Sequence, residues 1–295
     1  MEVGEPSGRK QSNDKPGTTP DMQVTGANAY AFPLTFAQQR LWFLDQLQPG
    51  GSSYNIPFSI QISGSLKVEA LEKSLNEIVE RHEVLRTTFS VVDEEPVQVV
   101  SPATVIALPI TDLSSDPANE VTAKRVAADE AQRPLDLKNG PLVRARLLRL
   151  GPESHILLLT LHHINFDGWS RRILVRELAA LYEAFSAGHP SPLPALPLQY
   201  ADYAVWQREH LQGSGLDQHL DYWKRNLNGA ATTLDLPTDR PRPAVQTYSG
   251  ADKRLAFPVL LTEQLSALAR KGGATLFMLL LAGFKALLSR SESVV

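Results

Sequence analysis

The centre of this chain is the segment Leu157-Leu158-Leu159-Thr160-Leu161-His162-His163-Ile164-Asn165-Phe166-Asp167-Gly168-Trp169-Ser170. The apolar run that leads into the histidines is short, continues from Ile156 to Leu161 and follows the turn signal Gly151-Pro152. This pattern predicts a buried central strand. A polar turn with Asp167 and Gly168 follows the histidines. After this turn apolar residues recur at helical spacing, and Ser170 is predicted to be the N-cap of the helix. A strand–loop–helix junction is where α/β proteins tend to place ligand chemistry.

The two adjacent histidines permit three interpretations. In a metal site, His162, His163 and Asp167 would be ligands, but neighbouring side chains of a strand face opposite ways, and the other histidines lack ligand spacing. We therefore expect no metal. In a structural interpretation, both imidazoles form hydrogen bonds within the fold. In a catalytic interpretation, one ring faces a cavity and accepts a proton from an attacking amine, hydroxyl or thiol, while the other faces the protein.

The segment from His162 to Gly168 resembles the HHxxxDG motif of the condensation domains of nonribosomal peptide synthetases, which belong to the chloramphenicol acetyltransferase superfamily. Three further blocks resemble core motifs of that family, in the family's order: residues 35–44, 81–89 and 200–206. They read Thr-Phe-Ala-Gln-Gln-Arg-Leu-Trp-Phe-Leu, Arg-His-Glu-Val-Leu-Arg-Thr-Thr-Phe and Tyr-Ala-Asp-Tyr-Ala-Val-Trp. The resemblance extends from Ala31 to Val295.

The resemblance implies an α/β fold, a chloramphenicol acetyltransferase-like two-layer sandwich of two lobes with the active site in a tunnel between them. Strands followed by amphipathic helices that need cover favour the same class. We expect residues 1–30 to be a disordered tail or linker and residues 31–188 to be the complete N-terminal lobe that carries the motif. Residues 189–250 are expected to be crossover and linker helices, and residues 251–295 the start of a truncated C-terminal lobe.

The resemblance also implies an activity, which is peptide bond formation between two carrier-bound thioesters. Donor and acceptor peptidyl carrier proteins would present their substrates on phosphopantetheine arms, beside an adjacent adenylation domain, and no cofactor would be bound directly. His163 would accept the proton of the acceptor amine or hold the amine for attack, and His162 would face the fold. Asp167 is expected to be structural, and Gly168 to allow close substrate approach and to offer an N–H to the oxyanion.

The sequence is also compatible with other functions. Epimerisation domains and other HHxxxDG acyltransferases share the motif, although the run Arg40-Leu41-Trp42-Phe43-Leu44 and the segment Tyr54-Asn55-Ile56-Pro57 look more like peptide-forming members. A cyclisation domain would carry an aspartate pair in place of the histidines, so that interpretation fails. A non-catalytic docking module for carrier proteins, or an inactive half-domain, is the alternative from a different class.

The composition narrows the possible partners. With 43% hydrophobic and 21% charged residues and a net charge of −3, the chain is typical of a globular protein and does not favour nucleic acid. The absence of cysteine excludes disulfides and thiol nucleophiles and is compatible with the cytoplasm. No secretory signal or membrane span is expected, because residues 1–30 lack an apolar core and the apolar stretch at 275–290 is short.

Four further expectations concern single elements. Thr35 and Gln38 are expected to form a capping box at the start of a helix. Arg40 is expected to form a structural ion pair. The aromatic residues at helical spacing between Tyr200 and Trp223 are expected to be core rather than a ligand cage. Residues 275–290 are apolar nearly all round and are therefore expected to form a buried helix.

Overall fold

The computed structural model describes residues 22–23, 29–102, 104–230, 236, 238–241, 243–244, 250–251 and 253–292. The predicted tail at 1–30 lies almost entirely outside these residues. The chain divides into two compact units, Met1–Asp217 and Gln218–Val295. The domain boundaries predicted after residues 188 and 250 remain predictions.

The described residues of the first unit form two four-stranded sheets. The strands are β1 (Met22–Gln23), β2 (Tyr30–Pro33), β3 (Asn55–Ser63), β4 (Thr87–Val92), β5 (Glu95–Val100), β6 (Ile110–Asp112), β7 (Val143–Gly151) and β8 (Ser154–His162). One sheet has the order β1-β2-β5-β4 and the other the order β3-β8-β7-β6. All neighbouring pairs are antiparallel except β6 and β7, which are parallel.

The helices follow the amphipathic segments of the sequence. They are α1 (Phe36–Leu47), α2 (Val68–Arg81), α3 (Asn119–Gln132), α4 (Gly168–Ser186), α5 (Tyr200–His210), α6 (Gly213–Leu227), α7 (Val259–Lys271) and α8 (Leu276–Glu292). A short 3₁₀ turn at Glu83–Arg86 follows α2. The predicted capping box that starts α1 is confirmed, since Thr35 and Gln38 exchange hydrogen bonds between side chain and backbone.

β8 is the buried central strand that the apolar run predicts. It lies between β3 and β7, with Leu159 opposite both Phe58 and Ala145. One face of its sheet packs against α2 and α4, and the other packs against α3. The first of these two cores includes Leu75, Ile78, Leu157, Leu159, Leu161, Leu174, Leu178 and Leu181. Both faces of this sheet are covered, so His162, the last residue of β8, lies at a rigidly packed end of a central strand.

Two predictions about burial are wrong. The aromatic side chains of α5 and α6 are largely exposed, as Tyr203 and Trp206 show, because α5 turns Ala201 and Ala204 to the interior instead. The apolar helix α8 is exposed as well, with Phe277 72% accessible. Among the described elements of its unit, α8 packs against α7, and one neighbouring helix does not cover an apolar surface on all sides.

No single helix among the described residues has the length and hydropathy to cross a membrane. α7 and α8 reach that threshold only as a pair, and the pair bends by 101° at its break.

Candidate active site

His162 is the last residue of β8 and belongs to the interior. It is only 3% exposed, and its Nδ1 accepts a 3.1 Å hydrogen bond from the backbone N–H of Ile164. Burial, and secondarily the nearby His163, lowers the pKa of His162 from 6.5 to about 4. The ring is therefore uncharged at neutral pH and carries its hydrogen on Nε2, since Nδ1 is an acceptor.

His163 has the opposite surroundings. Its side chain is exposed, and its backbone N–H donates a 2.8 Å hydrogen bond to the carbonyl of Tyr54 on the strand side. Its Nδ1 lies 3.0 Å from the carbonyl oxygen of Phe166. Because a carbonyl oxygen can only accept, Nδ1 must carry the hydrogen, and the neutral ring keeps its lone pair on Nε2. His163 therefore offers a proton acceptor on its other side.

Asp167 caps the helix that follows the histidines. Its Oδ1 accepts hydrogen bonds from the backbone N–H and the hydroxyl of Ser170, at 2.8 and 2.7 Å. The prediction that Ser170 is the N-cap is wrong, because Asp167 takes the extended backbone of a cap and α4 begins at Gly168. Hydrogen bonds from Ser170, more than the nearby His163, lower the pKa of Asp167. Within the described residues Asp167 forms no ion pair with a lysine or arginine.

Gly168 is the first residue of α4 and borders open space. A Cβ built on it meets no heavy atom within 4 Å. Its backbone is helical, so the absence of a side chain is not required by the fold at this position. The predicted roles of Gly168 in substrate approach and oxyanion binding remain predictions.

The four sequence blocks meet around one cavity of about 250 Å³ in the first unit. The block at 35–44 contributes Ala37, Gln38, Arg40 and Leu41; the block at 81–89 contributes Val84; the motif contributes residues 163–167; and the block at 200–206 contributes Tyr200. Ser170 completes the lining. Residues that are up to 163 positions apart in sequence thus share one concave surface with His163, from Ala37 to Tyr200.

Arg40 lines this cavity without an ion pair. Its side chain is exposed and makes no hydrogen bond or ion pair within the described residues, so the expected structural pair is wrong. Helical spacing gives the reason, because the neighbours one turn away on α1 are Phe36, Ala37, Phe43 and Leu44, none of them acidic.

A buried acid near the site, Glu177, is a feature that the sequence pattern did not predict. Glu177 of α4 is 6% exposed, and its Oε2 lies 2.7 Å from Nε2 of His82 and 3.4 Å from Nε of Arg81. His82 and Phe166 also line a smaller cavity of about 80 Å³ next to Leu174. The available signal was a charged residue on the apolar stripe of α4, between Leu174 and Leu181.

No group of three or more His, Cys, Asp or Glu side chains in the described part of the chain is arranged to hold a metal ion. His162, His163 and Asp167 instead form hydrogen bonds to backbone or hydroxyl groups, as given above.

Comparison with known proteins points to one family. A family model described as "Condensation domain" matches residues 28–293. The chain is 51% identical over 261 residues to a linear gramicidin synthase of Brevibacillus parabrevis, which is 88% of this chain and 3% of that protein. It is 46% identical over 277 residues to phosphinothricin tripeptide synthetase PhsC of Streptomyces viridochromogenes, which is 93% of this chain and 26% of that protein. The chain thus spans a small part of these relatives.

Solved structures agree with this result. The first condensation domain of the CDA synthetase matches with a TM-score of 0.73 and 25% identity, over 89% of this chain and 63% of that chain. The X-domain from teicoplanin biosynthesis matches with a TM-score of 0.77 and 30% identity, over 88% of this chain and 57% of that chain. The predicted α/β, chloramphenicol acetyltransferase-like fold is confirmed.

Proposed function

The chain belongs to the condensation domain family, and from this membership we propose that its His163 cavity catalyses peptide bond formation. The donor is an aminoacyl or peptidyl thioester, and the acceptor is the α-amine of a second aminoacyl thioester. Both substrates arrive on the phosphopantetheine arms of carrier proteins, one donor and one acceptor, with an adenylation domain as neighbour. The two relatives, a gramicidin synthase and a tripeptide synthetase, support this substrate class.

One observation carries the proposal, namely the hydrogen bond that fixes the hydrogen of His163 on Nδ1. Nε2 therefore carries no hydrogen and can accept a proton, on an exposed ring at the wall of the cavity. The acceptor nitrogen attacks the thioester carbonyl, a C–N bond forms, and the C–S bond breaks. The amine proton passes to Nε2 of His163 and is then available to the departing thiolate. General-base help is worth about 10²–10⁴-fold, and holding the amine in place contributes through the same contact.

The remaining motif residues have supporting roles in this proposal. His162 stays neutral and fixes the loop through its hydrogen bond to the Ile164 backbone. Asp167 holds the start of α4 and does not accept the proton, because both of its strong contacts come from Ser170. Gly168 leaves room for the substrate, and its N–H is one of the unpaired donors of the first helical turn.

An assay for the dipeptidyl product tests the proposal. Carrier proteins loaded with donor and acceptor aminoacyl thioesters are mixed with the chain, alone and with the remainder of a condensation domain supplied separately, and the product is identified by mass spectrometry. We expect His163→Ala to reduce product formation by about 10²-fold or more. The matched control is His189→Ala, since His189 is exposed and lies outside the cavity lining.

A non-catalytic role in carrier docking is the second candidate. Carrier binding without product, both alone and with the supplied remainder, would support docking and contradict catalysis. Equal product formation by wild type and His163→Ala would contradict the assigned role of His163.

A further inference from the structure

The exposed face of α4 carries a pair of arginines without acidic partners. Arg172 and Arg176 are one helical turn apart, so their side chains are neighbours, and both are exposed. Neither side chain makes a hydrogen bond or an ion pair within the described residues. By contrast, Arg81, Arg86, Arg144, Arg146 and Arg149 of the same unit are all in ion pairs.

The acids of the helix do not neutralise this pair. Asp167 is engaged with Ser170 as the helix cap, and Glu177 faces the interior, where it contacts Arg81. The exposed Glu183 lies seven positions after Arg176, about 10 Å along the helix axis, which is beyond the three- or four-residue spacing at which helical side chains pair. Like charges one turn apart destabilise a helix. The two guanidinium groups therefore form a local positive patch that the fold itself does not use, and such a patch attracts anions.

An exposed aromatic ring lies on the same face. Trp169 precedes Arg172 by three positions and Arg176 by seven, which places the three side chains along one side of α4. The indole is 72% exposed, which is unusual for tryptophan. Arginine and tryptophan next to each other are typical of recognition surfaces, where the indole covers an apolar segment and the guanidinium groups hold a charge.

The position of the patch relative to His163 suggests its ligand. Arg176 lies nine residues after Asp167, so the helix axis separates them by about 13 Å. A phosphopantetheine arm separates its thioester sulfur from its phosphate by a peptide-like chain, which at about 3.5 Å per three bonds spans on the order of 15 Å. With the thioester at His163, the phosphate of an arm laid along α4 reaches Arg172 and Arg176.

We propose that Trp169, Arg172 and Arg176 bind a phosphopantetheine arm, with the two arginines on its phosphate ester and the indole on its apolar pantetheine chain. This proposal rests on the proposed function for the identity of the arm. The phosphate is a suitable ligand because guanidinium groups bind its oxygens through paired, charge-assisted hydrogen bonds.

Binding of the free arm tests the proposal without any reaction. The chain is titrated with 4′-phosphopantetheine and, separately, with pantetheine, which lacks the phosphate, and binding is followed by the NMR signals of the tryptophan indoles and arginine Nε–H groups. We expect 4′-phosphopantetheine to bind about tenfold more tightly than pantetheine, with the Trp169 signal shifting. R172Q/R176Q should abolish this preference.

The matched control is Lys124→Gln, an exposed cation of α3 on the opposite face of the sheet. It should keep the preference for the phosphate. Equal binding of both compounds, an undiminished preference in R172Q/R176Q, or equally tight binding of inorganic phosphate would overturn the proposal. So would an effect of R172Q/R176Q on intact carrier protein but not on the free arm, which would make the patch a protein-docking surface. His163→Ala should bind 4′-phosphopantetheine normally, so a failure of catalysis is distinguishable from a failure of this site.

Discussion

Nδ1 of His163 and the carbonyl oxygen of Phe166 are joined by a 3.0 Å hydrogen bond across a three-residue span of the loop. Phe166 is buried, and its ring stacks on Phe58 of β3 with centroids 5.9 Å apart. The tautomer and the orientation of an exposed imidazole thus depend on a ring packed in the core. Packing fixes the proton acceptor before any substrate arrives, as preorganised catalysis requires.

Gly168→Ala separates the needs of the substrate from those of the fold. The added methyl meets no protein atom within 4 Å, and alanine favours a helix more than glycine does. We expect the melting temperature to be unchanged or slightly raised and product formation to fall at least several-fold, because the methyl occupies space proposed for the substrate. Thermal unfolding and the dipeptide assay measure the two effects. Unchanged product formation would contradict the proposed close approach of substrate at Gly168.

Asp167→Ala and Asp167→Asn distinguish a helix cap from a proton acceptor. Alanine removes both hydrogen bonds from Ser170 and should lower the free energy of unfolding by about 1 kcal/mol. Asparagine retains the capping oxygen without the charge, so it should preserve both stability and most of the activity. Chemical denaturation and the dipeptide assay on the two variants give the comparison. An inactive but fully stable Asp167→Asn protein would show that the carboxylate does more than cap α4.

His162 makes stability depend on pH in a direction set by its lowered pKa. The folded chain binds this proton only below about pH 4, whereas the unfolded chain binds it below about 6.5. The contribution of neutral His162 to the free energy of unfolding is therefore fully present above pH 6.5. It is lost as the pH falls towards 4, by about 3 kcal/mol in all. The free energy of unfolding, measured with urea, should decrease between pH 7 and pH 5 in both proteins. We expect the decrease to be about 2 kcal/mol smaller in His162→Asn than in wild type.

Asparagine is the suitable replacement because its side-chain oxygen can still accept the hydrogen bond from Ile164. His189→Ala serves as the control for the removal of a histidine, since the side chain of His189 is exposed. An identical pH dependence of His162→Asn and wild type would show that His162 titrates normally in the folded chain.

The sequence was informative wherever the physical signal is local. The capping box of Thr35 and Gln38 spans three positions, and the apolar run of β8 marks a strand covered on both faces. The same locality misled the assignment of the helix cap. Asp167 and Ser170 are both good caps, and only the extended backbone at Asp167, with φ −138° and ψ −176°, decides between them.

Features that depend on distant neighbours could not be predicted in this way. The exposure of α8 depends on which elements surround it, and helical periodicity reports nothing about them. The aromatic residues of α5 are exposed, contrary to the prediction from their spacing, because two small alanines, Ala201 and Ala204, fill the interior face in their place. Arg40, likewise, has no ion-pair partner in the described part of the chain, because no acidic residue lies one turn away on α1. Its place at the cavity follows from the tertiary fold.

The buried contact between Glu177 and the pair Arg81 and His82 yields the last prediction. It ties the end of α2 to the helix that begins at the motif, and the three side chains are 7%, 12% and 22% exposed. Removing one member of a buried ionic cluster leaves a charge without its partner in a poorly solvated position, which costs about 3–5 kcal/mol. We expect Glu177→Ala to lower the free energy of unfolding by roughly 3 kcal/mol in chemical denaturation.

Glu183→Ala is the matched control, because it makes the same substitution on the same helix at an exposed position and should cost less than about 0.5 kcal/mol. Glu177→Ala should lower the stability of the protein more than the activity of its folded fraction, since Glu177 is absent from the lining of the His163 cavity. Well below its melting temperature, the folded fraction of the variant should retain the 4′-phosphopantetheine preference of wild type. If Glu177→Ala proves as stable as Glu183→Ala, the cluster does not hold α2 and α4 together, and the geometry of the motif must depend on the apolar core alone.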